Sequence, residues 1–343
     1  RLWFMPVLAF AVAAGTGSAQ WPPANADHQP AAEQQTTEQP AEAPPTIRVN
    51  VDIVNVFCTV RNKQGGLVPG LKEDDFEIAE DGKPQTIKYF SRETDLPLTL
   101  GLLIDVSLSQ KRLIEDEKEA ASEFFTQVLK SKDLAFLISF GTDSELLQDY
   151  TSSARLLRKG LDGLKVDAPP PQFNSGPVPT IYTPRGTVLR DAVYVAAREQ
   201  LKGQIGRKAL IVISDGVDEG SRVKLQEAID AAQKADAIIY SIDYADPRAY
   251  GSFGIGMGAS DLKKLSEDTG GRVYKVDRKH PLSAVFKELQ EELRTQYTIG
   301  YIPTNPVKDG TFRRILVKTK NDDLKVQTRK GYFAEPPDSA GGS

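Results

Sequence analysis

The chain has 343 residues, enough for about two domains with sizeable cores. Its 43 Lys and Arg residues nearly balance 47 Asp and Glu residues, so the composition lacks the basic excess that binds nucleic acid. The single cysteine, Cys58, excludes an intramolecular disulfide and C-x-x-C motifs, and the two histidines leave little material for a zinc cluster or a Ser-His-Asp triad. The composition therefore disfavours most hydrolase chemistry.

The N-terminal segment has the pattern of a secretory signal. Residues 2–14 form an apolar run, and small residues follow up to Ala19, where we expect signal-peptidase cleavage. The run is shorter than the ~20 residues that a membrane span needs, and it contains Pro6, so we expect no membrane span after cleavage. These features predict a secreted or periplasmic protein with residues 1–19 as its signal peptide.

Residues 20–46 are rich in Pro, Ala, Gln and Glu. Such a composition buries too little apolar surface to offset the entropy lost on ordering, so it predicts a disordered linker. We also expect residues 335–343 to form a disordered tail.

The two flanks of the folded region carry β patterns. Alternating β-branched residues begin at position 47, and shorter strand patterns follow at 76–78 and 86–90, with turn signals between them. The C-terminal flank has comparable runs at 297–302, 314–318 and 324–326. Neither flank holds many strands, and chain ends often lie close together in space. We therefore expect residues 47–95 and 297–334 to build one β-sandwich, with the middle of the chain inserted between them.

The middle of the chain, residues 96–296, alternates apolar runs with helical patterns. The runs lie at 98–104, 134–138, 209–213 and 237–240, and the helical patterns at 111–129, 154–161, 224–234 and 282–294. Strands that are apolar throughout are buried on both faces, as in a parallel sheet covered by helices. The pattern predicts a doubly wound, mostly parallel α/β domain. Such domains bind ligands at the carboxyl ends of their strands.

Small oxygen-bearing side chains follow these strands. Asp105, Ser107 and Ser109 come after the first strand, Thr187 opens a later helix, and Asp215 follows the strand at 209–213. Two carboxylates and three hydroxyls suit a hard divalent cation such as Mg²⁺. Because hydroxyl ligands are neutral, they leave the ion able to accept a carboxylate from another molecule.

The D-x-S-x-S motif at Asp105, Ser107 and Ser109, followed by Thr187 and Asp215, resembles the metal-ion-dependent adhesion site (MIDAS) of von Willebrand factor type A (VWA) domains. The resemblance covers residues 96–296 and implies a Rossmann-like fold. It implies that the three hydroxyls contact the metal, directly or in one of two states, and that the two carboxylates hold it largely through water. The flanks resemble a bacterial VWFA-related group. The Pro-rich stretch 166–185 is longer than this loop usually is in the family.

Residues of these types also serve in helix capping and in phosphoryl transfer. Ser107, Ser109 and Thr187 are also suitable helix N-caps. A phosphotransferase with an aspartyl-phosphate intermediate would also begin with Asp105, but it would carry a second carboxylate at position 107. No G-x-S-x-G nucleophile motif occurs in the sequence. A metal-dependent phosphoryl enzyme is therefore the minor alternative.

The sequence thus predicts an exported, non-enzymatic, adhesion-like module that binds a protein partner. An acidic residue of the partner would complete the shell of a Mg²⁺, Mn²⁺ or Ca²⁺ ion at Asp105, Ser107, Ser109, Thr187 and Asp215. The alternative within the same chemistry is an assembly or maturation factor for a complex in the cell envelope. We expect no binding to nucleic acid.

Overall fold

The computed structural model describes residues 53–92, 96–167, 186–246, 248 and 258–336. The expected signal peptide and linker, most of the Pro-rich stretch and residues 337–343 of the expected tail lie outside the described residues. All described residues belong to one compact unit.

The described residues form fourteen strands: β1 (Val54–Arg61), β2 (Phe76–Glu80), β3 (Lys83–Gln85), β4 (Ile87–Ser91), β5 (Leu98–Asp105), β6 (Leu134–Phe140), β7 (Ser144–Thr151), β8 (Arg207–Ser214), β9 (Ala237–Asp243), β10 (Val273–Lys275), β11 (Tyr297–Tyr301), β12 (Phe312–Thr319), β13 (Lys325–Thr328) and β14 (Gly331–Phe333). They also form six α-helices: α1 (Ile114–Val128), α2 (Ala154–Asp162), α3 (Leu189–Val195), α4 (Leu225–Lys234), α5 (Ala259–Thr269) and α6 (Leu282–Arg294). A π-helical segment, Ala196–Leu201, extends α3.

The central sheet has the strand order β10-β9-β8-β5-β6-β7. Its strands are parallel except for the edge strand β7, which runs antiparallel to β6. Every residue of β5 and β8 is buried. Side chains of α1, α2 and α6 pack on one face of the sheet, and those of α3, α4 and α5 pack on the other. The predicted doubly wound, mostly parallel α/β fold is confirmed.

Two four-stranded antiparallel sheets are built from the flanks. Their strand orders are β13-β1-β11-β4 and β14-β12-β2-β3, so each sheet combines strands from both ends of the folded region. Residues of both sheets share one apolar core, which includes Val56, Ile78, Tyr297 and Val317. The expected β-sandwich is therefore present, while the domain boundaries remain a prediction. Lys83-Pro84 lies among the turn signals between the strand patterns at 76–78 and 86–90, but it begins the short edge strand β3, where proline is tolerated.

A buried carboxylate connects the sandwich with the α/β part of the fold. Glu292 of α6 accepts hydrogen bonds from the Tyr274 hydroxyl (2.7 Å) and from Gln327 Nε2 of β13 (3.0 Å). It also forms ion pairs with Arg61 of β1 and with Arg272, whose Nε lies 3.2 Å away. These contacts tie the last helix of the α/β part to strands from both flanks.

Candidate functional site

Asp105 lies at the carboxyl end of β5 and is fully buried. Its Oδ1 accepts a hydrogen bond from the Ser107 backbone N–H (2.9 Å), and its Oδ2 accepts one from the Ser214 hydroxyl (2.6 Å). Burial raises the pKa of Asp105 to about 7, the negative charge of Asp215 adds to this rise, and the hydrogen bonds oppose it. Removal from water thus outweighs the local hydrogen bonds, and a cation at this position would favour the ionised carboxylate.

Ser107 and Ser109 present their hydroxyls to each other. The two Oγ atoms lie 2.9 Å apart, and both residues are half-buried. Ser107 precedes the short 3₁₀ helix Leu108–Gln110 at its N-cap position, but its side chain makes no capping hydrogen bond. The capping alternative therefore does not account for the Ser107 hydroxyl, which is directed towards Ser109 beside Asp105.

Asp215 directly follows β8. Strand β8 lies next to β5 in the sheet, and Ile213 of β8 pairs with Ile104 of β5. It is buried, and its Oδ1 accepts a hydrogen bond from the Val217 N–H (3.0 Å). Gly216 has a φ of 79°, and a Cβ at this position would collide with the backbone of Gly258. The tight turn after β8 therefore requires glycine, and it holds Asp215 at the strand ends.

Thr187 lies just before α3 and is half-buried. Its carbonyl oxygen accepts hydrogen bonds from the N–H groups of Gly220 (3.1 Å) and Glu219 (3.3 Å). These bonds attach Thr187 to the loop that begins with Asp215. The structure thus joins Asp105, Ser107 and Ser109 through direct contacts. Asp215 acts on Asp105 through its charge, while the backbone of Thr187 contacts the loop that follows Asp215.

Several buried or half-buried polar residues near these positions were missed by the sequence analysis. Ser214 bridges to Asp105, and Asp243 ends β9, where burial raises its pKa and the charge of Asp215 adds to the rise. Gln110 and Glu117 are both fully buried. The burial of Glu117 could have been predicted, because it lies three residues after Ile114 on the apolar face of an amphipathic helix.

A groove of about 1000 Å³ lies beside Asp215. One wall consists of Asp116 and Ala120 of α1 with Leu113 just before the helix, and Asp243 and Tyr244 lie along the strand ends. The groove also contains Lys275 and Arg278, so it carries charges of both signs. Its size suits a segment of another molecule rather than a single ion.

The donor set near Asp105 fits a hard divalent cation. Within the described ranges, no three His, Cys, Asp or Glu side chains are grouped closely enough to hold a metal ion by themselves. A cation here would therefore depend on hydroxyls and water in addition to the carboxylates. This arrangement fits Mg²⁺, which prefers oxygen ligands and usually keeps several waters.

Among the residues that the structure describes, no helix has the length and apolar character needed to cross a membrane.

No family model matches the chain. A curated protein of Borreliella burgdorferi, described as an uncharacterized protein, is 23% identical over 185 residues, which are 50% of each chain. The chain thus spans about half the length of the curated relative that it matches.

Several solved structures are similar to this chain. BatB from Bacteroides thetaiotaomicron is 19% identical, with 57% of this chain and 97% of that chain covered and a TM-score of 0.43. A von Willebrand factor type A protein from Catenulispora acidiphila is 12% identical, with coverage of 83% and 73% and a TM-score of 0.43. A mussel byssus proximal thread matrix protein with a zinc-occupied MIDAS motif is 12% identical, with coverage of 61% and 48% and a TM-score of 0.44. The similar structures thus include a member of the family that the sequence motif resembles.

Proposed function

We propose that this protein is an exported, metal-dependent protein-binding module. Asp105, Ser107, Ser109, Thr187 and Asp215 hold a divalent cation, Mg²⁺, Mn²⁺ or Ca²⁺, and an acidic side chain of the partner completes its shell. The observation that carries the proposal is the pair of facing hydroxyls, Ser107 and Ser109, beside the buried carboxylate of Asp105.

The electrostatics of the strand ends support a cation. Asp105 and Asp215 are both buried, and the charge of Asp215 disfavours ionisation of Asp105. A dication between them replaces this repulsion with attraction, because an opposite charge favours the ionised form of each carboxylate.

The neutral hydroxyls support binding of an anionic group. Two carboxylates balance the charge of a dication, but a shell in which they act largely through water leaves the ion electron-poor. A carboxylate from a partner is then a better additional ligand than water. The groove beside Asp215 offers room for the segment that carries this carboxylate.

Calorimetry with Mg²⁺ and Mn²⁺ tests the metal site. We expect the wild-type protein to bind and Asp215→Ala to lose measurable binding. Glu219→Ala is the matched control, because Glu219 is an exposed acid in the same loop. Equal metal affinity of Asp215→Ala and the wild type contradicts the site.

Affinity capture of partners with and without EDTA tests the binding mechanism. We expect a partner that the wild type captures in Mg²⁺ to be released by EDTA and to be absent from the Asp215→Ala sample. Capture that persists in EDTA contradicts a metal-dependent mechanism, even where the metal itself binds.

A further inference from the structure

Two buried polar side chains lie directly after the D-x-S-x-S motif. Gln110 and Glu117 are both fully buried, and neither the amide atoms of Gln110 nor the carboxyl oxygens of Glu117 have a hydrogen-bond partner among the described residues. Buried polar groups in folded proteins are nearly always hydrogen-bonded to protein or to ordered water. These two side chains therefore call for a partner that is not one of the described protein groups.

The surroundings of Glu117 indicate what kind of partner is needed. The charged groups that act on its carboxyl are Asp105, Asp116 and Asp215, all acidic, and together with burial they raise its pKa. Burying an acid near three others is unfavourable unless a positive charge or a proton compensates for it.

The position of Glu117 on α1 relates it to the strand ends. The Glu117 backbone N–H donates a 3.0 Å hydrogen bond to the carbonyl of Leu113. Leu113 and Ala120, one turn before and after Glu117, line the groove that also contains Asp215. The exposed acids Glu115 and Glu119 lie on the same helix, so burial distinguishes Glu117 from the other glutamates of that turn.

We propose that Glu117, together with Gln110, is a positioning element of the cation centre that binds water molecules of the ion's shell from the α1 side. This inference rests on the proposed function. Direct ligation by Glu117 is not part of it, because the described acidic side chains are not grouped within ligand distance of one ion. Water spans the gap, since Mg²⁺ keeps several waters and outer groups orient them.

Calorimetry of the full chain with Mg²⁺ and Mn²⁺ tests the proposal. The Glu117→Gln variant keeps the shape of the side chain and removes its charge, and we expect a roughly 10- to 100-fold loss of metal affinity, as is typical for outer-shell partners. Glu119→Gln removes an exposed charge from the same helix, and we expect it to bind within about twofold of the wild type. Wild-type affinity of Glu117→Gln overturns the proposal.

Thermal melts in EDTA separate a positioning role from a structural one. We expect Glu117→Gln to melt cooperatively, at or above the wild-type temperature, because it replaces a buried acid that has acidic neighbours with a neutral amide. If Glu117→Gln does not fold, Gln110→Leu tests the same water network from the other buried side chain. Weakened metal binding by Gln110→Leu supports the proposal, and wild-type affinity overturns it.

The Asp215→Ala variant distinguishes this inference from the proposed function. Loss of metal binding in Asp215→Ala, together with wild-type affinity in Glu117→Gln, overturns only the role of Glu117. No metal binding by the wild-type protein overturns both.

Discussion

The hydroxyl of Ser214 donates a 2.6 Å hydrogen bond to Oδ2 of Asp105 and thereby joins the ends of β8 and β5. The Oγ atom of Ser214 also accepts a 2.9 Å hydrogen bond from the N–H of Gly216, in the turn that carries Asp215. One buried serine therefore orients the first carboxylate and fixes the turn that holds the second. The relative placement of Asp105 and Asp215 depends on Ser214, although the motif itself does not include this residue.

We expect Ser214→Ala to lower the free energy of unfolding by about 1–3 kcal/mol, because it leaves a buried carboxylate oxygen without its donor. We also expect weaker metal binding, because Asp105 is no longer held in place. Urea unfolding and calorimetry measure the two effects. Ser139→Ala, which changes a buried serine of β6 on the other side of β5, is the control and should leave metal affinity unchanged. Unchanged metal affinity in Ser214→Ala contradicts the orienting role.

Metal removal should invert the order of stability of the wild type and Asp215→Ala. In EDTA we expect Asp215→Ala to melt at or above the wild-type temperature, because one of two repelling buried acids is gone. In Mg²⁺ we expect only the wild type to gain stability, since a ligand that binds the folded state raises the melting temperature. Thermal melts at several Mg²⁺ concentrations measure this difference. Parallel shifts in both proteins would show that the ion binds elsewhere.

The Glu292 cluster should determine how firmly the sandwich is attached to the α/β part. We expect Glu292→Gln to cost about 1–3 kcal/mol, because Arg61 and Arg272 lose the charge of their shared partner. Glu288→Gln removes a half-exposed partner of Arg272, and we expect a cost below about 1 kcal/mol. Urea unfolding followed by tyrosine fluorescence and by circular dichroism compares the variants. Equal costs for both variants would argue against a special role for the buried cluster.

Cys58 should make the stability of the protein depend on alkaline pH. Burial raises the pKa of its thiol from 9.0 to about 12, so between these values the folded state keeps a proton that the unfolded state releases. The contribution is complete below pH 9 and is lost as the pH rises, by up to about 1.4 kcal/mol per pH unit. We expect the wild type to lose stability more steeply than Cys58→Ala between pH 9 and pH 10.5. Identical slopes in urea unfolding would contradict the shift.

Much of the fold was predictable because its signals are local. The interior strands β5 and β8 are buried on both faces, so each contains a continuous apolar run. The edge strand β7 was missed because it is largely exposed and has no such run. The strands β10 and β14 have three residues each, which is too short for a periodic pattern. A strand was therefore predictable where burial gave it a continuous or an alternating apolar pattern, as in β5 and β12, and strands without such a pattern were missed.

The sequence by itself determined the cluster of Asp105, Ser107 and Ser109, because five consecutive residues in one loop bring these side chains together through local geometry. Only the tertiary structure decided that Ser214 at the end of β8 contacts Asp105 at the end of the adjacent strand β5. It also decided that β11 lies between β1 and β4. It also decided which acid of the run Glu115–Glu119 is buried. The helical pattern places Glu117 on the apolar face of α1, but only the packing of α1 against the sheet removes it from water. Burial is a property of the assembled layers, and it is burial that makes this one carboxyl a candidate member of the site.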